Sequence, residues 1–188
     1  METTYIEIDS PDKHLSDVLE EIPSNVILYK TLTGIGATYS EIKAKRHSIV
    51  IEPNVPVITG KCNSAKHKDD NLLGVYEGVT TDRIIKYLRA SRGKYYKILT
   101  TPESFPKVKN AFLTFSGKIY NTCFLLIDEA HKTIKDVDYR TDIVLPMNDF
   151  FKFKDKALVS ATPLKFSDPR FEENHFSTVS YTHLTLPT

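Results

Sequence analysis

The sequence predicts an α/β fold in which a mainly parallel sheet has helices on both faces. Three observations predict it. Short apolar segments typical of strands alternate along the chain with longer segments typical of helices. Several of the apolar segments contain no alternating polar residue, as in strands that are buried on both faces of a sheet. The segment 124–127 ends directly in Asp128 and Glu129, as in open sheets that bind ligands where their strands end.

The overall composition is that of a soluble globular protein of ordinary domain size. The chain has 188 residues, of which 40% are hydrophobic and 26% charged, and its formal charge of +1 neither favours nor excludes nucleic acid as a partner. No apolar stretch approaches the roughly 20 residues that span a bilayer, and the first four residues do not begin a secretion signal. We therefore expect a cytoplasmic protein without a membrane partner. Cys62 and Cys123 are too few to predict a disulfide framework or a zinc site.

The first half of the chain has a β-α-β rhythm. Ser10 and Pro11 are typical of a helix start, and Pro23 is typical of a helix end. The predicted order is a helix over 12–21, a strand over 26–29, a helix over 39–46, a strand over 48–51, a helix after Pro53, a polar loop over 63–71 and a strand over 73–76.

The second half continues the alternation. Thr80 is a predicted helix cap, and Ile84, Ile85 and Leu88 form one apolar face of the helix that follows. The predicted order is a helix over 82–90, a strand over 95–99, a helix over 103–115, a strand from Phe124, a helix over 142–151 and a strand over 157–159. The crossovers between parallel strands should be right-handed.

The acidic pair after the Phe124 strand is the strongest candidate for chemistry. Asp128 and Glu129 would lie at the carboxyl end of a buried strand, where a phosphate-bound metal can be held. In nucleotide hydrolases the first carboxylate of such a pair holds Mg²⁺ and the second orients or deprotonates the attacking water. The alternative is a buried strand followed by a solvated acidic turn.

A glycine-containing segment lies between the first predicted strand and the helix after it, where a phosphate-binding loop belongs. It reads Thr31-Leu32-Thr33-Gly34-Ile35-Gly36-Ala37-Thr38. Gly34, Gly36 and Thr38 fit such a loop, because glycines let backbone amides approach phosphate and a threonine hydroxyl can reach Mg²⁺. The P-loop pattern requires lysine where this chain has Ala37. Lys30 or Lys43 could substitute for it, and the alternative for the glycines is an ordinary tight turn.

Two hydroxyl-rich segments follow other predicted strands. They are Thr100-Thr101-Pro102-Glu103-Ser104 and Ser160-Ala161-Thr162-Pro163. Small hydroxyl residues at helix starts are suited to contacting a nucleic-acid backbone without reading bases. Each segment alone is equally typical of a plain helix cap.

Taken together, these segments resemble the first motor domain of superfamily two helicases and translocases, the DEAD/DEAH-box relatives. The resemblance covers about residues 24–163, and five segments follow the family's order. Residues 31–38 resemble a degenerate motif I, residues 49–56 motif Ia and residues 100–103 motif Ib. Asp128-Glu129-Ala130-His131 is a literal DEAH motif II, and Ser160-Ala161-Thr162 is the SAT of motif III.

The resemblance implies a RecA-like, three-layer P-loop NTPase fold that binds ATP and Mg²⁺, with roles for named residues. It implies that Asp128 and Thr38 coordinate Mg²⁺, that Glu129 activates water and that His131 couples nucleotide state to nucleic-acid grip. Motif III shares that coupling role, and the segment 33–38 contacts the phosphates. The implied contacts to a DNA or RNA backbone are Pro53, Thr101, Pro102 and Glu103.

The same resemblance implies a domain organisation. Residues 1–23 would form an N-terminal strand and helix extension, and residues 24–178 the RecA-like ATP-binding domain; a second RecA-like domain would supply the other wall of the ATP site.

The last ten residues can be encoded by GTC TCT TAT ACA CAT CTG ACG CTG CCG ACG, a transposase sequencing adapter. We therefore expect the native sequence to end near Thr178, where the reading frame was cut at a contig edge. The alternative is a genuine β-rich tail.

Three functions remain open from the sequence. The leading one is the ATP-binding half of a nucleic-acid-dependent ATPase, helicase or translocase, in which the isolated fragment would be inactive. The second is a non-catalytic relative that binds nucleic acid or a partner, in which Ala37→Lys would restore hydrolysis. The third is a P-loop ATPase without nucleic-acid work, which the Ser160-Ala161-Thr162 segment disfavours.

Overall fold

The strands form one parallel sheet. The computed structural model describes residues 3–8, 15–30, 36–135, 145–162 and 168–183. The strands in these ranges are β1 (Thr3–Ile8), β2 (Val26–Lys30), β3 (Ser48–Ile51), β4 (Leu72–Val75), β5 (Lys97–Thr100), β6 (Phe124–Ile127), β7 (Asp155–Ser160) and β8 (Ser177–His183). Their order in space is β1-β8-β2-β7-β6-β3-β5-β4, and each neighbouring pair is parallel.

Helices connect most of these strands, as parallel neighbours require. They are α1 (Leu15–Val18), α2 (Ala37–Lys43), α3 (Val55–Asn63), α4 (Thr81–Ala90), α5 (Phe105–Phe115), α6 (Ile119–Thr122), α7 (Ala130–Lys135), α8 (Leu145–Phe150) and α9 (Arg170–Glu173). Two short 3₁₀ turns, Ala65–His67 and Pro102–Ser104, precede β4 and α5.

The core lies on both faces of the sheet, because successive strand residues point to opposite sides. In β2, Ile27 belongs to an apolar cluster that includes residues of α4, α5 and α8, whereas Val26 and Leu28 belong to a second cluster that includes residues of α1, α2 and α3. All three of these strand residues are buried. The prediction of a three-layer α/β fold with a parallel sheet and helices on both faces is therefore confirmed.

Most predicted elements are found, with shifted ends. The strand over 48–51 has the predicted bounds, and the Thr80 hydroxyl caps α4 by accepting from the amide of Arg83 at 3.3 Å. The predicted helix over 103–115 begins at Phe105, because Pro102–Ser104 forms a 3₁₀ turn first. Residues 12–14 and 142–144 of two predicted helices lie outside the described residues.

The strand β8 was not among the predicted strands. It lies between β1 and β2, and it includes residues 179–183, which we expected to be translated adapter. Its residues Val179, Tyr181 and Thr182 are β-branched or aromatic, types that favour strands. A ladder position between two strands can therefore be filled by this sequence whatever its origin.

Buried Lys97 anchors α2 to the sheet. Its ammonium donates to the backbone carbonyls of Glu41 and Ala44 at 2.7 and 2.8 Å, and to the Ser48 hydroxyl at 3.0 Å. These carbonyls lie at the end of α2, where helix carbonyls lack intrahelical partners. The position of α2, and hence of Thr38 in its first turn, therefore depends on a residue of β5.

The charge of Lys97 makes stability depend on pH. Burial lowers the pKa of Lys97 from 10.5 to about 8, although the Glu41 carboxylate opposes the shift. Between these values the unfolded chain keeps a proton that the folded chain has lost, so stability rises with pH. Urea unfolding at pH 8 and pH 10 should show wild type gaining about 2 kcal/mol over Lys97→Met. Equal pH dependence in the two proteins would contradict this.

Gly74 in β4 lies closely against α3. A Cβ atom at Gly74 would be 2.9 Å from Ile58 Cγ2 and 3.2 Å from Cys62 Sγ. Gly74→Ala should therefore lower the free energy of unfolding by about 1–3 kcal/mol. Gly60→Ala is the matched control, because a Cβ there has no neighbour within 4 Å. Within α3 it should stabilise by about 0.5–1 kcal/mol; urea unfolding of both variants distinguishes close packing from a general effect of alanine.

Candidate functional site

Several polar residues meet where neighbouring strands end. Lys30 ends β2, Ser160 ends β7, and Asp128 and Glu52 directly follow β6 and β3. The ladder continues one residue further, since the Asp128 amide donates to the Ile51 carbonyl at 2.9 Å. Because parallel strands share one direction, these side chains lie at the same edge of the sheet.

The Asp128 carboxylate connects three segments of chain. It is 6% exposed. Its Oδ1 accepts from Lys30 Nζ at 3.1 Å and from the Glu129 amide at 2.8 Å, and its Oδ2 accepts from the Thr38 hydroxyl. Gly36 before α2 has a φ of 83°, a conformation that glycine adopts without strain. Thr38 is buried two residues further on.

Glu129 follows in a backbone conformation that is unusual for a residue with a side chain. Its φ is +50°, in the left-handed region, and such conformations cost on the order of 1–3 kcal/mol. The turn directs its carboxylate to Lys30 Nζ, with which it is in contact. The ammonium of Lys132 lies 3.5 Å from Glu129 Oε2. Backbone strain at this position fits a site in which side-chain direction matters.

His131 links Glu129 to the end of β7. Its Nε2 lies 3.4 Å from Glu129 Oε2, and its Nδ1 lies 3.3 Å from the Ser160 hydroxyl. Ser160 Oγ also donates to the Thr162 carbonyl at 2.7 Å and accepts from the Thr162 amide at 3.3 Å. Contacts therefore run without a break from the acidic pair to the segment after β7.

Two buried ionisable groups have shifted pKa values here. Burial opposes the charge of Lys30, but the carboxylates of Asp128 and Glu129 outweigh it and raise the pKa of Lys30 above its ordinary value. Burial, with repulsion from Asp128, raises the pKa of Glu52 to about 7. Lys30 is therefore held charged between two carboxylates, and the third carboxyl group nearby exchanges its proton near neutral pH.

The oxygen atoms at this edge fit a magnesium ion that arrives with phosphate. Mg²⁺ prefers oxygen ligands, and proteins commonly supply only one or two of them, with water and phosphate completing the shell. The Thr38 hydroxyl and the Asp128 carboxylate are two such oxygens in contact. Within the described ranges no group of three or more His, Cys, Asp or Glu residues could hold a metal without such help.

The structure brings together most residues predicted from the sequence. Thr38, Asp128, Glu129, His131, Ser160 and Thr162 form one connected set. Ala161 lies half-buried between the last two. Thr33, Gly34 and Ile35 lie outside the described residues. Ala37 is buried in the apolar cluster beside α1, α2 and α3.

The residues predicted to contact nucleic acid are mostly covered. Thr101 and Pro102 are buried, and Pro53 is half-buried. The Thr101 amide donates to the Val75 carbonyl at 3.2 Å, so it is already used within the sheet. Glu103 is exposed, and its negative charge does not attract phosphate.

Sequence reasoning missed Glu52 and did not choose between Lys30 and Lys43. Glu52 directly follows an apolar strand, which is the same signal that identified Asp128. Lys30 stands at the corresponding place as the last residue of β2. Lys43 lies elsewhere, with its ammonium 2.7 Å from Asp70 Oδ2. A charged residue at the end of each apolar strand is therefore the signal that could have found both groups.

Comparison with known proteins gives a likeness in structure only. No protein-family model and no curated protein matches this chain. The chain is similar to the Hef helicase domain of Pyrococcus furiosus, with a TM-score of 0.55 and 14% identity over 88% of this chain and 36% of that one. It is also similar to a hypothetical ATP-dependent RNA helicase of Sulfolobus tokodaii, with a TM-score of 0.53 and 18% identity over 84% of this chain and 48% of that one.

These likenesses show the fold. The chain has the RecA-like fold of a helicase domain, and it spans less than half the length of either similar structure. Within the described residues, no helix has the length and apolar character needed to cross a membrane.

The position of Ala37 changes what a lysine there would do. Because Ala37 packs in an apolar cluster, Ala37→Lys should lower the free energy of unfolding by about 1–3 kcal/mol and should not improve ATP binding. Ala37→Met is the matched control for size without charge. Urea unfolding and ATP titration of both variants measure the two effects. Tighter ATP binding by Ala37→Lys would show that position 37 faces the nucleotide after all.

Proposed function

We propose that this chain is the ATP-binding half of a nucleic-acid-dependent ATPase of the helicase or translocase type. The observation that carries the proposal is the contact of the Thr38 hydroxyl with the Asp128 carboxylate, beside Glu129. A hydroxyl from the helix after the first glycine-containing loop and a carboxylate from a neighbouring strand end are the pair that holds Mg²⁺ in phosphoryl-transfer sites.

The acidic pair divides the chemistry between two residues. Mg²⁺, when bound with ATP, would neutralise charge that develops on the phosphates. Asp128 and Thr38 would hold this ion. Glu129, whose carboxylate is directed by its left-handed backbone, would accept a proton from the attacking water. The segment 33–38 would contact the phosphates.

The contacts of His131 support a coupling role. His131 contacts both Glu129 and Ser160, the last residue of β7. A movement of the Glu129 side chain on hydrolysis can therefore be transmitted through His131 to Ser160, Ala161 and Thr162. We propose that this route relays nucleotide state to the grip on a DNA or RNA backbone.

A second RecA-like domain would complete the site. Each of the two similar helicase structures is more than twice as long as the part of it that this chain matches. We propose that the protein includes such a domain, which supplies the opposite wall of the ATP site. This chain alone would bind nucleotide weakly and would not unwind nucleic acid.

Hydrolysis by the complete protein tests the proposal. Wild type should hydrolyse ATP faster when DNA or RNA is added. Glu129→Gln should lower this rate about 10²–10⁴-fold while it retains ATP binding, because it removes the proton acceptor and keeps the shape. Asp128→Asn should also weaken the Mg²⁺-dependent binding of ATP. Phosphate release and fluorescent ATP titration measure these two effects.

The control is Glu173→Gln, which changes an exposed carboxylate on α9 and should leave both measurements as in wild type. Mg²⁺-dependent ATP binding without hydrolysis would support the non-catalytic alternative. Absence of Mg²⁺-dependent ATP binding by wild type would overturn the proposal.

A further inference from the structure

The ammonium of Lys30 lies against the acidic pair at the strand ends. Lys30 is the last residue of β2 and is 7% exposed. Its Nζ is 3.1 Å from Asp128 Oδ1 and in contact with Glu129 Oε1. The other oxygen of the same Asp128 carboxylate accepts from Thr38. One ammonium, one hydroxyl and two carboxylates therefore converge on one place.

The buried charges in this place do not balance. Among the buried groups, the single ammonium of Lys30 faces the carboxylates of Asp128 and Glu129, and the second ammonium near Glu129, that of Lys132, is on a side chain that is 48% exposed. Buried charges are normally paired with others, so a site with this excess of carboxylate is suited to a cation. Once Asp128 held a divalent cation, the Lys30 ammonium would keep its contact with Glu129 and could donate to an anion in place of Asp128. A lysine ammonium is a compact point charge with three donors, as phosphate binding requires.

Position 37 cannot supply the same charge. Ala37 is 4% exposed and belongs to the apolar cluster that includes Leu28 and Ile42. Lys43 does not supply it either, because it lies at the other end of α2. Its ammonium contacts Asp70 and donates to the Lys66 carbonyl at 3.2 Å.

Among the described residues, Lys132 is a further candidate for this role. Its ammonium is 3.5 Å from Glu129 Oε2, but its side chain is 48% exposed. An exposed ammonium is screened by water, so it contributes less to anion binding than a buried one. Lys30 has the better position, since it contacts both members of the acidic pair.

We propose, on the basis of the nucleotide-binding function proposed above, that Lys30 supplies the phosphate-binding ammonium of this site. The lysine comes from the end of β2 instead of from the turn before Thr38. The corresponding sequence pattern is Lys-x-x-x-Gly-x-Gly-Ala-Thr, from Lys30 to Thr38. A triphosphate is the ligand class that this ammonium would recognise, together with Mg²⁺.

Titration of the complete protein with Mg²⁺ and ATP, ADP or AMP tests the proposal. Lys30→Met should bind ATP about tenfold to a hundredfold more weakly than wild type, as expected for one charge-assisted hydrogen bond. AMP binding should not change, because AMP lacks the phosphates that a P-loop lysine contacts. Lys30→Arg should retain part of the affinity. Lys43→Met is the matched control and should bind ATP like wild type.

The nucleotide-induced rise in Tm separates this role from a structural one. Lys30→Met should also be less stable without nucleotide, because Asp128 and Glu129 lose their partner. A purely structural lysine would leave the rise in Tm with Mg²⁺ and ATP unchanged, and that result would overturn the proposal. If wild type itself does not bind Mg²⁺ and ATP, the proposed function fails and the role of Lys30 fails with it.

A labelling experiment on wild type avoids the variants, in case they do not fold. The probe is an acyl phosphate of ATP. The lysine Nζ attacks its acyl carbonyl, an amide forms, ATP leaves and the amine gives its proton to solvent. Peptide mapping should find the amide on Lys30, and excess ATP should prevent it. Labelling that ATP prevents at Lys132 or Lys43, with none at Lys30, would overturn the proposal.

Discussion

The buried carboxylate of Asp128 holds together parts of the chain that are distant in sequence. Lys30 and Thr38 donate to it from 98 and 90 residues away, and the Glu129 amide donates from the next residue. A buried donor without a partner costs more than one hydrogen bond contributes, so each contact depends on the carboxylate being there. The end of β2, the first turn of α2 and the turn after β6 are thus positioned by a single group.

The helix α2 is fixed from both ends. At its start Thr38 donates to Asp128, and after its end Lys97 donates to the Ala44 carbonyl. Asp128 directly follows β6 and Lys97 lies in β5, and these two strands lie on the two sides of β3 in the sheet. Movement of α2 relative to the sheet would break buried contacts at either end. The site therefore has a rigid support on the side that the described residues form.

The fold could be predicted because apolar patterns along the chain reflect burial directly. The strand 48–51 and the cap at Thr80 follow from local residue types, and both are found. The place of β8 between β1 and β2 could not be predicted, since pairing depends on contacts remote in sequence. The buried state of Ala37 was hidden for the same reason. A residue type at one position does not reveal which side of a helix faces the sheet.

Lys30 shows how a charged group can lie at a site without standing at the position that the sequence motif specifies. A sequence pattern records the order of residues, whereas phosphate binding requires a charge at a place in space. In this fold the end of β2 and the start of α2 both lead to Asp128, as the contacts of Lys30 and Thr38 demonstrate. An ammonium can therefore reach that carboxylate from either side of the intervening loop. The absence of lysine at position 37 breaks the sequence pattern, but the Lys30 ammonium still places a positive charge beside Asp128.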